Sequence, residues 1–181
     1  MWQCGLMGED DFEDVTIRDA TASDAAQIAR VHIRSWREAY AKIVPPEHLA
    51  TLDEEERTRR WEENLRKGPH DHVRTWIAEA NAAVLGFATL GPSRDEDAES
   101  EDVEIYSIYL DPGMWGRGVA RELMRKVIAD VPSKTRISLW ILSDNDRARH
   151  FYRRHGFTPD GAERLEEIGG AELLQVRYRR G

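Results

Sequence analysis

Hydrophobic positions change period several times along the chain, and each change predicts an element. Val15-Thr16-Ile17-Arg18 alternates apolar and polar side chains, the period-two signature of a strand. It runs into Asp19-Ala20-Thr21, where Thr21 followed three residues on by Asp24 resembles a capping box, with Asp as a shorter stand-in for Glu. Ala25, Ile28, Val31, Ser35 and Ala39 then recur at helical spacing, flanked by Trp36 and Tyr40, until Pro45-Pro46 breaks the helix. A second, highly charged helix is predicted from about Asp53 through Arg66, stopping at Gly68-Pro69.

Strand character returns in Val73 to Ala78 and Val84 to Leu90, with Asn81-Ala82-Ala83 suited to a tight hairpin between them. Arg94 to Asp102 is a polar, mostly acidic loop, open to two readings: a solvated loop, or a negative rim that attracts a cationic substrate. Glu104 to Leu110 is aromatic and β-branched, a further strand ending at Asp111-Pro112-Gly113. Val119, Leu123 and Val127 stand at i, i+4 and i+8 on a helix that Val131-Pro132 ends. Arg136 to Leu142 alternates again, Ser143-Asp144-Asn145-Asp146 opens a last helix, and Gly156 closes it. Phe157 to Gly181 reads as a closing hairpin turning at Gly169-Gly170. The order is strand, two helices, hairpin, strand, helix, strand, helix, hairpin, which predicts a mixed α/β (α+β) fold with a mostly antiparallel sheet. The strand–helix–strand unit from Glu104 to Leu142 is expected to be a right-handed parallel crossover.

Composition narrows the classes. A chain of 181 residues, 40% hydrophobic and 33% charged, suits one globular domain, here residues 15–181. A net charge of −8 argues against a general nucleic-acid surface and is compatible with a cationic amine as partner. The single cysteine, Cys4, rules out an intrachain disulfide framework, so a reducing, cytoplasmic setting is expected. No apolar run approaches the ~20 residues of a membrane span. Met1 to Asp14 lacks the basic start and apolar centre of a leader, and reads as a disordered acidic extension.

Chemistry concentrates where the strand ending at Leu110 passes into the helix beginning near Val119. Gly116 and Gly118 permit backbone geometries closed to other residues, and leave several N–H groups exposed at a helix N-terminus. Such a turn suits a phosphate, with Arg117 and Arg121 able to add charge, though a plain tight turn has the same glycines. The Walker pattern needs Lys and Ser/Thr after its last glycine, whereas Val119-Ala120 follow Gly118. The dinucleotide fingerprint needs a glycine where Arg121 stands.

Met114-Trp115-Gly116-Arg117-Gly118-Val119-Ala120 resembles the acetyl-CoA-binding core of the GNAT N-acetyltransferase superfamily, (Arg/Gln)-x-x-Gly-x-(Gly/Ala), with Trp115 in place of the usual Arg or Gln. Leu142 to Phe157 resembles the family's second block, Asn…Ala…Phe-Tyr…Gly-Phe. With Arg18-Asp19-Ala20-Thr21 and Trp36…Tyr40, the resemblance spans roughly residues 15 to 180. It implies a twisted sheet of six to seven strands, splayed at the cofactor site, and about four helices. The implied activity is transfer of an acetyl group from acetyl-CoA to a primary amine, on a small molecule or a protein/peptide, by direct attack in a ternary complex. A catalytically silent CoA-binding regulatory module is the alternative.

The resemblance assigns the pyrophosphate grip to the amides of Gly116, Arg117, Gly118, Val119 and Ala120, with Trp115 and Arg121 beside them. The backbone of Ile108, Tyr109 and Leu110 would pair with the pantetheine arm like an added strand, a recognition that constrains side chains little. Tyr152 matches the family's general acid, and a phenol near pKa ~10 suits protonation of a departing thiolate. Asn145 would contact the pantetheine or cap its helix. Glu104 is the candidate base, and Tyr106, two residues on, would share its face. Trp36, Tyr40 and Tyr106 are candidate walls for the acceptor, Trp76 a weaker one. His70-Asp71-His72 has no third ligand nearby, so no metal is expected. Homodimers are common in the family, and the closing hairpin would be the contact.

Overall fold

In a computed structural model that describes residues 15–67 and 72–181, the predicted strands join into one seven-stranded sheet. The expected N-terminal extension, Cys4 and His70-Asp71 lie outside the described residues. The strands are β1 (Thr16–Asp19), β2 (Arg74–Ala80), β3 (Ala83–Pro92), β4 (Val103–Leu110), β5 (Ile137–Leu142), β6 (Thr158–Ile168) and β7 (Ala171–Arg180). The helices are α1 (Ala25–Ala39), α2 (Pro46–Ala50), α3 (Glu54–Arg66), α4 (Val119–Ala129) and α5 (Asp146–Arg154). Strand order is β1-β2-β3-β4-β5-β7-β6, antiparallel except for the β4–β5 pair. Helix α2 is the element the periodicity did not show. Pro45-Pro46 does bar continuation of α1, but Pro46 then occupies a first helical position, where its missing N–H is no loss.

Two apolar layers flank the sheet. Trp76 and Ala78 of β2 enter the layer under α4 and α5, with Leu123, Met124, Val127, Phe157 and Tyr178. Ile77, between them in sequence, points the other way, into the layer with Ile28 and Val31 of α1 and Phe87 of β3. Trp76 is thus core, fully buried, with Arg74 stacked over its ring.

The β1 edge of the sheet, on the α1 side, is locked electrostatically. The Asp24 carboxylate accepts from the Arg18 guanidinium at 2.8 and 2.9 Å and from the Thr21 N–H at 2.7 Å. Arg18 also reaches Glu79 at 2.7 Å, tying β1 to β2. The Arg18 hydrogen bonds, foremost, hold the Asp24 carboxyl down to about 2. A depressed carboxyl stabilises the fold fully above its unfolded value, ~3.9, and loses that contribution as pH falls through its folded value. Acid unfolding of the wild type is therefore expected to steepen between about pH 4 and 2. Asp24→Asn should flatten that part of a stability–pH curve measured by urea denaturation.

The β2–β3 turn puts Asn81 at φ 51° and Ala82 at φ 60°. Two successive positive φ values suit the strand twist of a hairpin, but Ala pays for its Cβ there. Ala82→Gly should raise unfolding free energy by about 0.5–1 kcal/mol, read from the same denaturation curves.

Candidate active site

The sheet opens in the middle. β4 and β5 pair only at Val103↔Ile137 and Glu104↔Ser138, after which they diverge. β5 stays paired with β7 along its whole length, so β4 swings away. A register shift opposite Thr89 and Leu90 leaves Tyr106 as an extra residue in β4, and such a bulge bends its strand. The parting creates a cleft of about 600 Å³ between the ends of β4 and β5, roofed by the α4 and α5 termini.

At one end lies the glycine loop. Asp111 caps a single 3-10 turn over Pro112–Met114, and Trp115, extended, leads into Gly116. Gly116 at φ 79° and Gly118 at φ 87° are left-handed, and a Cβ built at Gly116 meets nothing within 4 Å. The amides of Gly116, Gly118, Val119 and Ala120 make no backbone hydrogen bond among the described residues, whereas that of Arg117 reaches the Met114 carbonyl at 3.4 Å. Gly116, Gly118, Ala120 and Arg121 line the cleft, while the Val119 side chain is core. Free helix-N-terminal donors beside an open β4 edge fit an extended ligand with a phosphate head. Coenzyme A has that shape, and Ile108, Tyr109 and Leu110 all lie on the cleft wall.

At the inner end three tyrosines converge. Tyr152 of α5 packs edge-on against Phe151 and Phe157, and its hydroxyl has no hydrogen-bond partner among the described residues. Burial first, then neighbouring Tyr109, pushes its phenol well above the usual range. The hydroxyls of Tyr40 and Tyr109 stand 3.4 Å apart, and burial raises both. Asn145 caps α5, its Oδ1 accepting from Ala148 N–H at 3.1 Å, while its side chain also meets the Tyr40 hydroxyl. Trp36 stands behind this group: its ring meets Tyr40 edge-on at 5.0 Å, and it does not line the cleft. His32 stacks on Tyr109 at 4.9 Å and is driven down to about 3, by burial first and Arg57 second. His155 lends Nδ1 to the Phe151 carbonyl at 2.8 Å.

Glu104 lies elsewhere. Its side chain is 2% exposed and off the cleft wall, in ion pair with Arg94 at 2.5 Å and accepting the Arg94 backbone N–H at 3.2 Å. Arg94 lies 4.0 Å over the Tyr106 ring, and Tyr106, which lines the cleft, donates to the Pro92 carbonyl at 2.7 Å. A Cβ at Gly91 would strike that ring at 2.6 Å, so glycine there seats Tyr106. The acidic loop is a staple. Asp95 pairs with buried Arg177 at 3.1 Å and accepts from the Trp140 indole N–H at 2.9 Å. Asp97 takes Arg177 and Arg179, and Asp102 takes Arg136. These pairings engage Asp95, Asp97 and Asp102 and tie the loop to β7 and to the start of β5.

Sequence reasoning passed over Arg147, His150 and Arg154, which line the cleft from α5. Their spacing of three and four residues was the available signal. Among the described residues no group of His, Cys, Asp or Glu could hold a metal ion.

A mixed sheet parted beside a glycine-turn helix N-terminus defines a CoA-type acyltransferase fold. The family model of the GNAT acetyltransferases matches residues 32–157. The N-acetyltransferase YuaI of Bacillus subtilis is 32% identical over 166 residues, covering 90% of each chain. The N-alpha-acetyltransferase RimI of Mycobacterium tuberculosis is 31% identical over 110 residues, 60% of this chain and 66% of its own. Among solved structures, the PaiA N-acetyltransferase of Thermoplasma acidophilum, in complex with coenzyme A, superposes with a TM-score of 0.70 at 18% identity, covering 90% of this chain and 98% of that one. The chain belongs to the GNAT family of acetyl-CoA-dependent acetyltransferases.

Glu104→Gln separates the two roles open to that residue. An anchoring role predicts a lower melting temperature with the acidic limb of the kcat/KM–pH profile retained. Loss of that limb would make Glu104 the base.

Proposed function

We propose that the chain transfers the acetyl group of acetyl-CoA to a primary amine, of a small molecule or a protein/peptide, by direct attack in a ternary complex. The observation that carries this reading is the gap between β4 and β5, which opens onto the buried Tyr152 hydroxyl. The free edge of β4 offers main-chain hydrogen bonds to the pantetheine arm, and the loop amides offer donors to the pyrophosphate. In this reading amides near Ile108 and Tyr109 polarise the thioester carbonyl as charge develops on its oxygen. The attacking nitrogen forms the new C–N bond, the C–S bond breaks, and Tyr152 protonates the leaving sulfur.

The raised phenol of Tyr152 keeps its proton at neutral pH, as an acid must. Glu104 is engaged by Arg94, so we assign it to holding Arg94 and Tyr106, and assign the ammonium proton to water in the cleft. Tyr40, Tyr106 and Trp36 form or back the acceptor wall. The similarity to RimI supports an amine on a peptide within this class. We place the activity in the cytoplasm, where a thiol co-substrate stays reduced. A homodimer through the closing hairpin is part of the reading: β6 is an edge strand of the sheet, and Leu165 and Leu174 are exposed.

Turnover of acetyl-CoA across a panel of small amines and peptide N-termini tests the reading. Tyr152→Phe should lower kcat about 100-fold with little change in KM for acetyl-CoA, as loss of a general acid does. Tight CoA binding with no turnover on any amine, and no effect of Tyr152→Phe, would point to a silent binding module instead.

A further inference from the structure

Trp115 occupies the position where the family carries an Arg or Gln side chain, and an indole, with one N–H donor, cannot replace that contact. What it does instead is visible across the cleft. The Arg147 guanidinium carbon lies 3.7 Å from the centre of the Trp115 ring. Trp115 precedes the glycine loop and Arg147 is in the first turn of α5, so the stack bridges the two elements that form the cleft mouth. Both residues line the cleft.

We propose that Arg147, seated on the Trp115 ring, is a side-chain phosphate ligand at the glycine loop, with Trp115 as its platform. Stacking occupies one face of a guanidinium and leaves its in-plane N–H fork free for a bidentate phosphate contact. Arg147 has no carboxylate partner among the described residues, although the protein carries 34 acidic residues. Arg121, across the mouth on α4, is drawn to Glu122 at 3.4 Å. His150 and Arg154 continue the Arg147 row along α5, extending a basic rim past the pyrophosphate cradle. A cofactor phosphate reaching this rim is met by a cation held rigid on one side, which reduces the rotamer entropy lost on binding.

The inference rests on the functional reading above, and its test separates the two. Calorimetric dissociation constants for CoA and for 3′-dephospho-CoA are measured on the wild type, Arg147→Ala, Trp115→Ala, the double variant, and Trp115→Arg in the Arg147→Ala background. Arg147→Ala should weaken CoA about tenfold, the scale of one charge-assisted hydrogen bond. Trp115→Ala should weaken it less, and the double variant should bind no worse than Arg147→Ala, because platform and ligand act as one unit. Trp115→Arg should recover most of the loss. A loss equal for both ligands assigns Arg147 to the pyrophosphate, and a loss confined to CoA assigns it to the 3′-phosphate. Exposure of Arg147 makes unchanged melting the expectation for Arg147→Ala. CoA affinity within twofold of wild type in Arg147→Ala, or fully additive single effects, would overturn the inference alone. A wild type that binds no CoA would overturn the functional reading and this one with it.

Discussion

Two register pairs, Val103↔Ile137 and Glu104↔Ser138, are all that join β4 to β5, and the rest of the site depends on their parting there. A sheet ladder normally continues because each unpaired N–H and C=O costs free energy when withheld from water. Here three features stop it. The extra residue at Tyr106 bends β4, β5 is committed to β7 from end to end, and α4 and α5 bring their N-terminal turns over the gap. On the proposed function, the unpaired edge serves as a surface for an extended ligand.

A sheet opened at one end must be held firmly at the other. The loop between β3 and β4 does this with charge. Asp95, Asp97 and Asp102 reach Arg177, Arg179 and Arg136, which stand on β7 and at the start of β5. Arg177 and Asp95 are almost wholly buried, so the pair exchanges water for mutual hydrogen bonds and for those of Trp140 and Ser138. Glu104 and Arg94 extend the same clamp to the last paired residue of β4. The clamp ends where the cleft begins.

Much of this was legible in the chain, and the reasons differ by element. Period-two alternation marks β1 and β5, and helical stripes mark α1 and α4, because burial on one face writes itself into spacing, while capping and breaking residues mark α3 and α5. Helix α2 escaped, since five residues are too few to show a period. The glycine loop was legible because only glycine tolerates φ 79° and 87° at that turn. The acidic loop was not, because its partners on β7 lie some eighty residues away in sequence. Glu104 marked a strand position correctly, but the Arg94 side chain that closes over it is a tertiary fact. Arg147 was hidden for the opposite reason: a lone arginine on a charged helix looks like solvent-facing surface until the Trp115 ring is placed beneath it.

Among the described residues the cleft lining includes no Asp or Glu, and that bears on the order of proton movements in the proposed reaction. Tyr40, Tyr109 and Tyr152 are all raised, chiefly by burial, so all three are neutral hydroxyls at neutral pH. His32, behind them, is held to about 3 and is also neutral, its Nδ1 buried without a hydrogen-bond partner among the described residues. A group of neutral dipoles disfavours an ammonium ion and favours a neutral amine, the reactive form. On the proposed function, the acceptor would shed its proton on entry, before attack, and Tyr152 would hold the proton that the leaving sulfur takes up. In that proposed scheme the burial that favours the neutral amine is the same burial that keeps the Tyr152 phenol protonated.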